Sequence, residues 1–196
     1  MDKKIKFVIG SLAFVGIIFG AVFVYGLLQD MGYVADNILE FDYSLFEANS
    51  DTYTSRERDP APYFTIYRWD NAEASLSDFL GRPTVLNFWA SWCPQCVIEM
   101  PYFEEIYHEV GDDVNIVKVN LLDRDRETRT SVENFMAENG LTFPLYFDNG
   151  VVARLYAVRF IPVTFFIDPA GYIAAHVQGP VNRDTLRQGI ELASRR

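Results

Sequence analysis

Two cysteines, Cys93 and Cys96, stand three apart in Trp92-Cys93-Pro94-Gln95-Cys96, and no other cysteine occurs in the 196 residues. A disulfide framework that staples a small domain needs several well-separated cysteines, so this pair reads as one local site. A bridge between residues three apart closes almost no loop, which leaves little structural reason for it. Half a zinc site is the other reading of Cys-x-x-Cys, but zinc takes four ligands, and the two histidines, His108 and His176, stand singly in helix and strand patterns. The chemistry that remains is thiol–disulfide exchange, in which a thiolate attacks a disulfide and a second thiol resolves the mixed disulfide. It needs neither cofactor nor metal.

That chemistry depends on where the chain puts the first sulfur. Thr84 to Ala90 is a short apolar run bounded by Gly81-Arg82-Pro83 and reads as a buried strand. From Pro94, the spacing of Cys96, Ile98, Met100, Phe103, Ile106, Tyr107 and Val110 is helical and ends near Gly111. Cys93 therefore falls at a helix N-terminus, where unpaired amides and the positive end of the dipole stabilise a thiolate. Pro94 takes the first helical position, where its missing N–H costs nothing, and the Gln95 and Cys96 amides are the expected donors to the Cys93 sulfur. Cys93 is then the attacking sulfur and Cys96, a turn inward, the resolving one.

Further on, Val114 to Leu122 reads as a strand, Thr128 to Asn139 as a helix closing at Gly140, and Phe143 to Phe147 as a strand. A short helix over Val151 to Tyr156, strands on either side of the turn at Pro169-Ala170-Gly171, and a last helix from Asn182 to Ser194 complete the chain. The order is that of an α/β domain with a mixed sheet flanked by helices.

The N-terminal part is of another kind. Residues 7–28 carry no charge and, at about 1.5 Å per residue, are long enough to cross a hydrocarbon core of about 30 Å. Lys3, Lys4 and Lys6 precede them, and no Lys or Arg follows before Arg56, so the positive-inside rule leaves residues 1–6 in the cytoplasm and the catalytic domain on the extracytoplasmic side of a single-pass cell-membrane protein. The run exceeds the h-region of a cleaved signal peptide, and no small-x-small site follows it. Residues 29–59 read as an acidic juxtamembrane segment, and residues 60–196 as the folded domain. The net charge of −10, with no basic cluster, argues against a nucleic-acid partner.

The run Leu86–Phe103, with Ala61-Pro62-Tyr63-Phe64 and Leu76-Ser77-Asp78-Phe79-Leu80-Gly81 upstream and Ile161-Pro162-Val163-Thr164-Phe165-Phe166-Ile167-Asp168 downstream, resembles the TlpA/ResA-like branch of thioredoxin-family proteins. The resemblance covers about residues 60–190 and implies a thioredoxin-like fold with an inserted helix and strand, here Thr128 to Phe147. It implies that Glu99 manages the protons of the thiols, as a carboxylate of raised pKa does. Asn87 stands where thioredoxin itself carries a buried acid, and so supplies an amide and leaves Glu99 as the lone nearby acid. Pro162 matches the family's cis-proline beside the cysteines; with Trp92, Pro94 and Ile161 it defines a groove in which an extended client segment pairs with the Ile161 backbone. Implied partners are exported disulfide-containing clients, in cytochrome c maturation or oxidative repair, and a transmembrane thiol carrier as electron donor. Trp69 and Val163 depart from the family pattern, and Pro101 lies inside the active-site helix.

Three alternatives stay open at this level. A peroxidase of the same fold needs Pro-xxx-Thr/Ser-xx-Cys, and those positions hold Leu86 and Ala90. A copper-binding chaperone without redox turnover needs a His or Met pair near the thiols. A disulfide-forming oxidant shares the scaffold; Gln95, being neutral, adds no charge that favours the thiolate and leans the reading toward a reductant.

Overall fold

The computed structural model describes residues 52–122 and 126–195. The apolar run 7–28 and the juxtamembrane segment up to residue 51 lie outside the described residues. One mixed sheet of eight strands runs in the order β1-β8-β7-β4-β5-β6-β2-β3. The strands are β1 (Thr52–Pro60), β2 (Thr65–Tyr67), β3 (Glu73–Ser75), β4 (Thr84–Trp89), β5 (Asn115–Leu121), β6 (Leu145–Asp148), β7 (Val163–Ile167) and β8 (Tyr172–Gln178). Between them lie α1 (Pro94–Val110), α2 (Arg129–Glu138) and α3 (Val152–Leu155), and α4 (Arg183–Ser194) follows β8.

The sheet begins at Thr52, upstream of the Asp59-Pro60 junction where the change of sequence texture placed the domain start. β1 is charged and ends in proline, yet it pairs antiparallel with β8. An edge strand tolerates such residues because one of its sides needs no partner.

At the centre, β4 is buried along its whole length, with β5 parallel on one side and β7 antiparallel on the other. Successive side chains of a strand point to opposite faces. Val85 and Trp89 enter the core beneath α1 and α4, and Leu86 and Phe88 enter the core on the opposite face. α4 comes close to β7 at Gly189, where a Cβ would stand 2.2 Å from the Phe166 ring, so any larger residue there forces helix and sheet apart.

The expected insertion forms as α2 and β6. Thr128 and Ser131 cap α2 reciprocally, each backbone N–H bonding to the other's hydroxyl. The loop holding Trp69, which the family pattern leaves unassigned, is the turn of the β2–β3 hairpin. Trp69 tilts against Phe147 at 5.3 Å between centroids, and Arg129 donates to the carbonyls of Arg68 and Trp69 at 3.2 and 2.9 Å. Residues of the inserted unit thus hold this hairpin in place.

Candidate active site

β4 ends at Trp89, the chain turns through Ala90-Ser91-Trp92, and α1 starts at Pro94 with Cys93 as its N-cap. Cys93 and Cys96 are joined as a disulfide, with Cα atoms 5.2 Å apart. Of the two amides expected to face the first sulfur, that of Cys96 donates to Cys93 Sγ at 3.2 Å. Cys93 is 5% exposed and lines a surface groove, whereas Cys96 is fully buried and does not.

On the outer side lies a groove of about 470 Å³, lined by Trp92, Cys93, Pro94, Phe160 and Ile161 among others. The Ile161–Pro162 peptide is cis, and the Ile161 carbonyl oxygen lies 3.7 Å from Cys93 Sγ. Trp92, Pro94 and Ile161 line this groove. Pro162 does not; it is buried behind them, and its carbonyl accepts from the Gly179 amide at 2.9 Å. Phe160, 73% exposed at the groove, was not singled out from the sequence, although an aromatic one residue before Ile161-Pro162 was the available signal.

On the inner side the register builds a polar row. Asn87 of β4 lies opposite Lys118 of β5 and opposite Thr164 of β7. All three side chains therefore point to the face covered by α1. Glu99, a turn beyond Cys96, comes down onto this row, and all four residues are fully buried. Asn87 Nδ2 donates to Glu99 Oε1 and to Thr164 Oγ1, each at 2.9 Å, and Lys118 Nζ donates to Asn87 Oδ1 at 2.7 Å. Lys118 Nζ also lies 3.4 Å from Glu99 Oε1, and the Val181 amide donates to Glu99 Oε2 at 3.2 Å. The ammonium sits 3.6 Å from the centroid of the Phe103 ring, a further favourable contact for a buried cation.

Burial drives both ionisable groups toward their neutral forms. It raises the Glu99 pKa, an effect that Lys118, the Val181 amide and Asn87 oppose. It lowers Lys118 from 10.5 to about 8, against the pull of Glu99. One proton passing from Lys118 to Glu99 leaves both uncharged, so burial favours the neutral pair and the mutual attraction of the charges favours the ion pair. Glu99 and Asn87 thus stand together as the sequence suggested, with Glu99 more deeply buried than a solvated helix glutamate. Lys118 was missed; the signal was a lysine inside the apolar run Val114–Leu122.

A thioredoxin-like sheet that presents a two-cysteine pair at a helix N-terminus beside a cis-proline defines a thiol:disulfide oxidoreductase. The chain belongs to the AhpC/TSA family, whose profile matches residues 58–176. It is similar to thiol-disulfide oxidoreductase ResA of Oceanobacillus iheyensis, 40% identical over 137 residues that cover 67% of this chain and 69% of the relative. Sporulation thiol-disulfide oxidoreductase A of Bacillus subtilis is 35% identical over 113 residues, 57% of this chain and 68% of the relative. The crystal structure of StoA from Bacillus subtilis superposes with a TM-score of 0.58 at 32% identity, covering 68% of this chain and 98% of that one.

Proposed function

We propose that this oxidoreductase is a reductant of disulfides in exported client proteins, held to the outer face of the cell membrane by residues 7–28. The observation that carries the reading is the division of the site. An apolar groove meets the exposed side of Cys93, and a buried carboxylate–ammonium pair lies under the helix that carries Cys96. The names of the relatives support the class of reaction, and the charge pattern of the N-terminal region supports the location.

In this reading an extended client segment lies in the groove with its backbone along Ile161. The Cys93 thiolate attacks one client sulfur, a Cys93–client bond forms, and the other client sulfur leaves as a thiolate that takes a proton from water. Cys96 then loses its proton toward Glu99, and its thiolate attacks the Cys93 sulfur. The Cys93–client bond breaks, the second client sulfur leaves and is protonated, and the Cys93–Cys96 disulfide closes. The client has gained two electrons and two protons. A transmembrane thiol carrier, itself oxidised in the exchange, returns two electrons to the pair. Cytochrome c maturation and oxidative repair are the client settings that the family resemblance supports.

Replacing each cysteine tests the assigned roles. The Cys96→Ser chain is expected to accumulate a mixed disulfide with its client through Cys93, and the Cys93→Ser chain to accumulate none, both read on non-reducing gels. Equal trapping by the two variants would overturn the assignment.

A further inference from the structure

One buried carboxylate near the site plays no part in the thiol chemistry described so far. Glu127, just before the cap of α2, is 1% exposed. Its Oε1 accepts from the Ser91 amide at 2.7 Å and from Asn120 Nδ2 at 2.6 Å, and its Oε2 accepts from the Ser91 hydroxyl at 2.6 Å. A carboxylate is costly to bury, and three short bonds from donors that are themselves partly or wholly buried offset that cost. Asn120 belongs to β5, opposite Trp89 in the parallel register, so Glu127 is anchored to the sheet on one side. On the other side it grips both the backbone and the side chain of Ser91, the residue before Trp92.

The neighbouring residue acts on Trp92 itself. The Arg126 guanidinium carbon stands 4.1 Å from the centroid of the Trp92 ring, at cation–π distance. Trp92 is 40% exposed, so burial alone does not hold it, yet it forms part of the lining of the groove beside Cys93. A side chain that must present a fixed wall while half in solvent needs support from outside the core. Arg126 and Glu127 supply it to consecutive residues, Trp92 and Ser91.

We propose that Arg126 and Glu127 are positioning residues that clamp Ser91 and Trp92, fix one wall of the client groove, and thereby set the affinity for extended peptide disulfides. The attacking sulfur does not depend on this wall. A disulfide too small to fill the groove should be indifferent to it. The clamp rests on exchange at Cys93 and on neither direction of electron flow.

The test compares thiol–disulfide exchange of the full chain, kept in detergent, with two substrates. One is an oxidised peptide long enough to lie along the groove; the other is bis(2-hydroxyethyl) disulfide. The readout is the ratio of the two kcat/KM values, together with the Cys93–Cys96 potential. In the Arg126→Gln chain the ratio is expected to fall about threefold, in line with an exposed cation–π contact. In the Glu127→Gln chain, where a charged acceptor of three bonds is replaced, it is expected to fall about tenfold. Both losses should appear in KM for the peptide, with the potential held. Arg126 is exposed, so its variant keeps the test open if the Glu127 variant fails to fold. A ratio unaltered in Arg126→Gln, or a loss shared equally by both disulfides, would overturn the clamp.

Discussion

The two sides of the Cys93–Cys96 bridge invert the usual arrangement of a soluble domain. Outside, Trp92 and Phe160 are left 40% and 73% exposed in a groove where charged residues would be more soluble. Inside, Lys118, Glu99, Asn87 and Thr164 are fully buried in a core where apolar residues would pack without desolvation. Neither arrangement stabilises the fold as well as its opposite would. Departures of this kind mark where sequence serves chemistry over stability. In the proposed function the outer side meets a client, and the inner side handles a proton.

Breaking the inner side should have the larger effect. Glu99→Ala leaves the Lys118 ammonium buried without its carboxylate, and is expected to cost about 3–5 kcal/mol of stability in denaturant unfolding. With Glu99 as the acceptor of the Cys96 proton in the proposed function, its loss is expected to slow the resolving step at least about 100-fold in stopped-flow exchange. An unaltered resolving rate would show that the pair plays no part in proton transfer.

Lys118→Met sharpens the comparison through pH. The folded-state pKa of Lys118 is lowered to about 8 from 10.5, so between these values the unfolded chain holds more protons than the folded one. Stability from this group is therefore least below pH 8, rises as pH increases through the window, and is complete above about 10.5. The natural chain is expected to gain up to about 3 kcal/mol relative to Lys118→Met across that range. Parallel stability curves for the two chains would contradict the depressed pKa.

The outer side should respond in binding alone. Phe160→Ala removes a ring that is 73% exposed, so stability should change by no more than about 0.5 kcal/mol. KM for a peptide disulfide is expected to rise severalfold in the same variant. A large loss of stability with KM unchanged would make Phe160 a packing residue and dissolve the contrast between the two sides.

What the sequence makes legible follows the same division. Cys93, Pro94 and Cys96 are neighbours on one strand–turn–helix unit and local spacing places them without knowledge of the rest, whereas Glu99, a turn further on, was singled out from Glu104, Glu105 and Glu109 by the family resemblance alone. Lys118 meets Glu99 only because β5 pairs with β4 in a register that sets Lys118 beside Asn87. Spacing within one strand carries no such information, although a lysine inside an apolar run announces a buried partner. Glu127 was hidden for the same reason, since its partner Ser91 lies on another element. β1 was hidden for another: the run Thr52–Pro60 is polar and charged, and an edge strand needs no alternation of apolar residues to pair. α1, α2 and α4 were legible nearly to the residue because Pro94 at the first helical position and the N-caps Thr128 and Asn182 are strong N-terminal signals.

The reduction potential of the Cys93–Cys96 pair, taken on the full chain equilibrated in thiol:disulfide buffers, bears on the whole account. The helix N-terminus and the Cys96 amide favour the Cys93 thiolate, but neutral Gln95 adds no positive charge to them, and a potential below about −230 mV is expected, as suits a reductant supplied by a membrane donor. A value above about −150 mV would contradict that reading and make the protein an oxidant that forms disulfides in its clients.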